Sequence, residues 1–268
     1  MTSAQRAHLE ALIANGYPHS SSECLALGWQ IYRSRLRDFM WFALLQPLIA
    51  SVFTVVGLSN IGLLLMTFLV SPILNAGFYL GAERATTPGA EWSFSVFFAA
   101  RAKAVPLLFC TLASSLLLAV MLIPTYLLFE RAGILEWYQE VVANPAVQIA
   151  PPELNATQSN GFFLNLLPVI YLQVGFSWAV PLILFWNTHP IKALEWSRRL
   201  VTRRFWPQFI LLLTFFSLLI LISIFLAPLA GISSGLANLG TFLLFLVFPW
   251  AYCSLYAGFR RTTMVEAE

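Results

Sequence analysis

Charge is scarce in this sequence, and long stretches have none. Asp, Glu, Lys and Arg make up only 10% of 268 residues, against about 25% in an ordinary soluble domain. No charged residue occurs from Phe39 to Tyr79, from Ala104 to Phe129, from Gly161 to Pro190 or from Phe205 to Phe259. Apolar runs of roughly 20 residues are long enough for a helix to cross the hydrocarbon of a bilayer. Ionisable groups at that depth are costly and mark ion or proton pathways. Their absence argues against a proton-coupled pump, a voltage sensor or a channel with a charged filter.

Cysteine and histidine are equally sparse. Cys24, Cys110 and Cys253 are dispersed, as are His8, His19 and His189, so neither a disulfide framework nor a metal site is expected. No HExxH, GxSxG or Walker loop is present. We therefore expect no enzyme, no cofactor and no catalytic residue. Nucleic-acid binding would call for a dense basic stripe on a soluble domain, which is missing. The first 38 residues hold no short apolar stretch like that of a signal peptide, so the first span is expected to act as the insertion signal.

What is present is a set of apolar spans. They are expected at Phe39–Val56, Ile61–Leu80, Ala104–Phe129, Phe162–Trp186, Trp206–Leu229 and Leu236–Phe259. Tight turns are expected at Ser59–Asn60 and Gly231–Gly240, and kinks at Pro168 and Pro181. Residues 22–38 and 191–204 read as basic amphipathic helices. In the first, Leu25, Trp29, Tyr32 and Leu36 recur at helical spacing. In the second, Glu195 can pair with Arg198 and Arg199. Glu91–Lys103 reads as an interfacial helix with Phe94, Phe97 and Phe98 on its greasy side. Trp29, Trp41, Trp92, Trp186, Trp196, Trp206 and Trp250 are expected as interface anchors or in packing, not as an aromatic cage.

The expected fold class is an all-α membrane protein of six transmembrane helices. A polar segment at 1–21 precedes a single membrane domain at 22–261, and a tail follows at 262–268. Six spans put residues 1–38, 81–103, 187–205 and 260–268 on one side. Those segments hold 14 of the 15 Lys and Arg residues; the outer loop at 130–160 holds only Arg131. Basic loops stay in the cytoplasm, so both termini are expected there.

A parallel internal repeat is also expected, relating 22–87 to 189–264 around a central span pair at 104–186. Ala26-Leu27-Gly28-Trp29 aligns with Ala193-Leu194-Glu195-Trp196, and Pro72, Tyr79, Gly81 and Arg84 with Pro249, Tyr256, Gly258 and Arg261. Parallel repeats occur in transporters, but an old duplication serving only packing, or chance similarity in a low-complexity apolar sequence, gives the same pattern.

Two groups of residues are candidates for function. Arg33, Arg35, Arg37, Arg198, Arg199, Arg203 and Arg204 could hold lipid headgroups, at about 1 kcal/mol each beside an anionic leaflet; ordinary topology determination would use the same residues. Gln46, Asn75, Asn165 and Gln173 are polar groups within spans, as is Ser177. Hydrogen bonding between helices is their ordinary role.

The stretch WAVPLILFWNTHPIKALEWSRRLVTRRFW, from Trp178 to Trp206, resembles a recurring segment of uncharacterised bacterial integral membrane proteins. In that group a proline-containing span precedes an "eAl..S..lv....w" helix. It includes YciC-like proteins and the membrane domain attached to some glycerophosphodiester phosphodiesterases. ECLALGWQIYRSRLRDF, SPILNAGFYLGAERATT and FPWAYCSLYAGFRR are similar to its other segments. The resemblance implies a six-span inner-membrane protein and carries no catalytic or binding residues. No phosphodiesterase domain is present in the chain, so that activity is not implied. The expected role is an accessory or lipid-interacting membrane module, with lipids, anionic ones included, or another membrane protein as partners. The alternative is a transporter or flippase of a hydrophobic or neutral substrate.

Overall fold

Every regular element among the described residues is helical; the computed structural model describes residues 1–55, 62, 64–144, 149–232 and 244–264. Helix α1 (Ser3–Asn15) starts at a reciprocal cap. The Gln5 N–H donates to Thr2 Oγ1 at 3.2 Å and the Thr2 N–H to Gln5 Oε1 at 2.8 Å. Two donors that would otherwise lack partners at the helix start are thus satisfied. The helix stops at Gly16, whose φ of +76° suits a residue without a Cβ. Leu9 and Leu12 are buried, so this helix packs against the rest of the chain through its apolar side.

Helix α2 (Ser21–Ser34) buries Cys24, Gly28 and Tyr32, residues four apart and therefore on one face. After Arg35 come α3 (Leu36–Ala43) and α4 (Leu45–Val55). The first expected span is thus interrupted at Leu44. Pro47 explains the break, because it has no N–H to give to the Ala43 carbonyl.

A π-helical turn, Met66–Val70, leads into α5 (Ser71–Thr86). Pro72 lies in its first turn, where the missing N–H is harmless. A 3-10 helix, Phe94–Lys103, precedes α6 (Ala104–Arg131) and α7 (Ile134–Ala143). The fourth expected span is divided into α8 (Ala156–Gly175) and α9 (Ala179–Trp186). The break at 176–178 again lies just ahead of a proline, Pro181. Helices α10 (Pro190–Arg203), α11 (Phe205–Ile232) and α12 (Phe248–Thr263) complete the chain. The expected turn at Ser59–Asn60 lies outside the described residues, and so do residues 233–243 and 265–268.

Among the described residues, three helical stretches are long and apolar enough to cross a membrane: Phe94–Arg131, Ala156–Trp186 and Phe205–Leu226. Val105, Phe216 and Phe225 are 78%, 61% and 73% exposed. Helices that are apolar all round and expose such large side chains suit lipid, not water.

The chain forms two units, Met1–Leu112 with Val174–Glu268, and Ala113–Gln173. Within the first, Phe42 stacks on Phe97 at 4.4 Å, and Phe78 meets Phe42 edge-on at 5.0 Å. Phe97, on the greasy side of the helix expected at Glu91–Lys103, is fully buried.

Within this unit α5 packs on the 3-10 helix, α9 on α10, and α12 on α2. Small residues allow each approach. Gly77 and Gly81 lie against Phe97. Ser197 Oγ donates to the Gly175 carbonyl at 2.6 Å and accepts from the Trp178 N–H at 3.0 Å. Gly28 sits so close to Ser254 that a Cβ would lie 2.5 Å from its backbone N and Cα. Gly28→Val should therefore force α2 and α12 apart and cost at least about 1–3 kcal/mol. Thermal unfolding in detergent checks this, and an unchanged melting temperature would contradict it.

Candidate functional site

Lys103, Arg203 and Arg204 in the first unit meet carbonyls at helix ends. The last carbonyls of a helix have no partner within it and carry partial negative charge. Lys103 Nζ donates to the Ile183 and Leu184 carbonyls at 2.9 and 2.8 Å, in the last turn of α9. Arg203 Nε donates to the Ile13 carbonyl in the last turn of α1, and Arg204 Nε to the Tyr17 carbonyl just beyond it at 2.8 Å. Tyr17 completes this link by donating its hydroxyl to the Leu200 carbonyl at 2.9 Å. Burial holds that phenol well above its ordinary pKa, although the Arg204 charge acts the other way.

The seven arginines named as headgroup candidates therefore divide. Arg203 and Arg204 join α10 to the N-terminal segment. Arg198 and Arg199 both bind Glu195, Arg198 at 3.0 Å, as their spacing predicts. Burial of Glu195 raises its pKa, but its bonds to Arg199 and Arg198 outweigh this and leave it lowered. Arg35 lies 5.0 Å from the centroid of the Trp92 ring, and the Trp92 indole N–H donates to Asp38 at 2.7 Å. Arg33 and Arg37 are exposed and have no hydrogen bond or ion pair among the described residues.

These two arginines sit beside exposed tryptophans. Trp29 and Arg33 are four apart on α2, and Arg37 and Trp41 four apart on α3, so each pair shares a helix face. Trp29 and Trp41 are 44% and 59% exposed, and Trp206 is 68% exposed. Trp186 and Trp196 are buried and so serve packing, the other of the two roles expected for the tryptophans.

Gln46 and Asn75 are brought together: the Gln46 amide donates to Asn75 Oδ1 at 2.7 Å. In the second unit, Asn165 lines a groove of about 400 Å³ with Pro124, Arg131, Thr157 and Gln158. Gln173 is exposed and is not part of that lining.

Two features were not evident from the sequence. The first is a polar chain, in which His19 Nε2 donates to Gln208 Oε1 at 3.0 Å and Gln208 Nε2 donates to Ser177 Oγ at 2.8 Å. Cys24 Sγ lies 3.9 Å from His19 Nδ1. This is no thiolate nucleophile: burial pushes the Cys24 thiol up to about 11, and the thiolate is the reactive form. No cluster of metal-ligating side chains occurs among the described residues.

The second feature is a groove of about 400 Å³ formed by α2, α5 and α12. Leu27, Ile31 and Ala257 give it an apolar wall, and Arg260 and Arg261 stand at its edge. The pattern of basic residues at the chain's end was legible, but not their meeting with α2 and the end of α5.

No family model, curated protein or solved structure matches this chain.

The state of His19 gives a testable consequence. Burial lowers its pKa below 6.5; the Gln208 bond opposes the shift, and the Arg204 and Arg261 charges add to it. The unfolded chain thus binds the proton more tightly, so stability rises with pH in this range and is lost as pH falls. The contribution should be complete above about pH 6.5 and be lost as pH falls below it. Melting temperatures in detergent between about pH 7 and pH 5 should fall in the native chain and fall less in His19→Asn.

Proposed function

We propose that this chain is a six-span, non-enzymatic protein of a bacterial inner membrane, with both termini in the cytoplasm, that engages anionic lipid at its basic side. The observation that carries this reading is the pair of exposed Trp–Arg faces, Trp29 with Arg33 and Arg37 with Trp41. Tryptophan favours the membrane–water boundary, and a cation beside it meets the phosphate level. The other candidate arginines with internal partners contribute to the fold first.

The three apolar stretches and the distribution of 14 of 15 basic residues support the six-span reading. The resemblance to the YciC-like group agrees with it. The proposed repeat also gains support. Helices α5 and α12 are each 16 residues with proline at the second position. Burial matches at Pro72 and Pro249, Tyr79 and Tyr256, and Gly81 and Gly258. Helices α2 and α10 are both 14 residues and end at arginines of nearly equal backbone geometry, Arg35 and Arg204. The 3-10 helix, α6 and then α8–α9 follow the same order, a short basic helix before an outgoing and a returning helix. That order extends the proposal from two units to three.

The transporter alternative has one observation in its favour, the groove at Asn165. Its lining includes Arg131 and does not include Gln173, so it offers less for a neutral substrate than the paired arginines and tryptophans offer for lipid.

Replacing Arg33 and Arg37 together by Gln should lower the enrichment of anionic over zwitterionic lipid around the purified protein. At about 1 kcal/mol per charge, each replacement should cost up to about fivefold. Lipid analysis after extraction from mixed membranes measures this. Unchanged enrichment, with the protein still folded, would refute the reading.

A further inference from the structure

The groove between α2, α5 and α12 differs from the rest of the basic layer in combining two arginines with an apolar wall. Leu27 and Ile31 come from α2, Ala85 from the end of α5 and Ala257 from α12. Arg260 Nη1 donates to the Thr86 carbonyl at 3.3 Å. A guanidinium has five N–H donors, so this contact anchors Arg260 without exhausting it. It also covers the carbonyl end of α5, which would otherwise repel an anion.

Arg261 pairs with Glu23, but both side chains are about half exposed, at 43% and 52%. Exposed ion pairs are weak, and a phosphate accepting two parallel N–H bonds from arginine is a stronger partner. Gln30, exposed on α2, also lines the groove and supplies a further amide donor. The lining contains no acidic residue; Glu23 reaches Arg261 from outside it. A volume of about 400 Å³ lies in the ordinary range for a small-ligand site.

We propose that this groove seats the headgroup of one anionic phospholipid. The phosphate lies between Arg260 and Arg261, and the glycerol and first acyl carbons lie along Leu27, Ile31 and Ala257. The proposal rests on the reading that the chain sits in a membrane with its basic side at the cytoplasmic leaflet. It goes further in assigning a single site, distinct from the general enrichment ascribed to Arg33 and Arg37.

The test is native mass spectrometry of the full chain equilibrated with phosphatidylglycerol and phosphatidylcholine in known ratio. One phosphatidylglycerol should stay bound under conditions that strip the others. Arg260→Gln should weaken its retention about fivefold. Gln30→Glu, a charge placed at an exposed helix position, should weaken it at least as much without disturbing the fold. Retention equal to the native chain in both variants overturns the proposal. If Arg33→Gln with Arg37→Gln lowers overall anionic enrichment while Arg260→Gln and Gln30→Glu change nothing, the groove assignment fails and the broader reading stands. Release of the bound lipid by an equal concentration of inorganic phosphate would show a simple anion site and also overturn it.

Discussion

Carbonyl groups left over at helix ends shape the basic layer of this protein. A helix that stops near the membrane surface presents carbonyls with no partner of their own. Here the chain's own cations meet them. Lys103 caps α9, Arg203 and Arg204 hold the end of α1, and Arg260 covers the last residue of α5. The positive-inside rule is usually stated as a rule of insertion. In this chain the same residues also hold helix ends together across as many as 190 positions of sequence.

This division of labour separates structural from available charge. An arginine that gives its N–H groups to a carbonyl or to Glu195 is held by the fold. Arg33 and Arg37 are not, and Arg260 and Arg261 keep donors at the edge of a groove. The close packing beneath them depends on small residues. Gly28 against Ser254 brings α2 onto α12, and Gly77 against Phe97 seats α5 on the 3-10 helix. Larger residues at either glycine would displace the helices that form the groove.

Much of the helical pattern was legible from the sequence. The basic helices expected at 22–38 and 191–204 are found at Ser21–Ser34 and Pro190–Arg203. Charge-free runs marked the long apolar helices because a membrane tolerates so little charge at depth. The interruptions at Leu44 and 176–178 were less legible. Proline states that one N–H is missing; it does not state whether the helix bends or stops.

The candidate site was legible only as residue types. Arg33 and Arg204 look alike in sequence, yet one is unpartnered among the described residues and the other bonds Tyr17. A side-chain bond to a distant carbonyl leaves no periodic trace, since every residue offers the same acceptor. Gln46 and Asn75 were recognisable as polar groups in spans, whereas their pairing needed the fold. The groove draws on three separate helices and had no local motif.

The cations that hold the fold and those proposed to meet lipid are different residues. Comparing the melting temperature in detergent of Lys103→Gln with that of Arg33→Gln/Arg37→Gln tests it most directly. Lys103→Gln should melt several degrees lower than the native chain, because two buried helix-end carbonyls lose a charged donor. The double variant should melt with the native chain. Equal melting of all three, or greater loss in the double variant, would contradict the account.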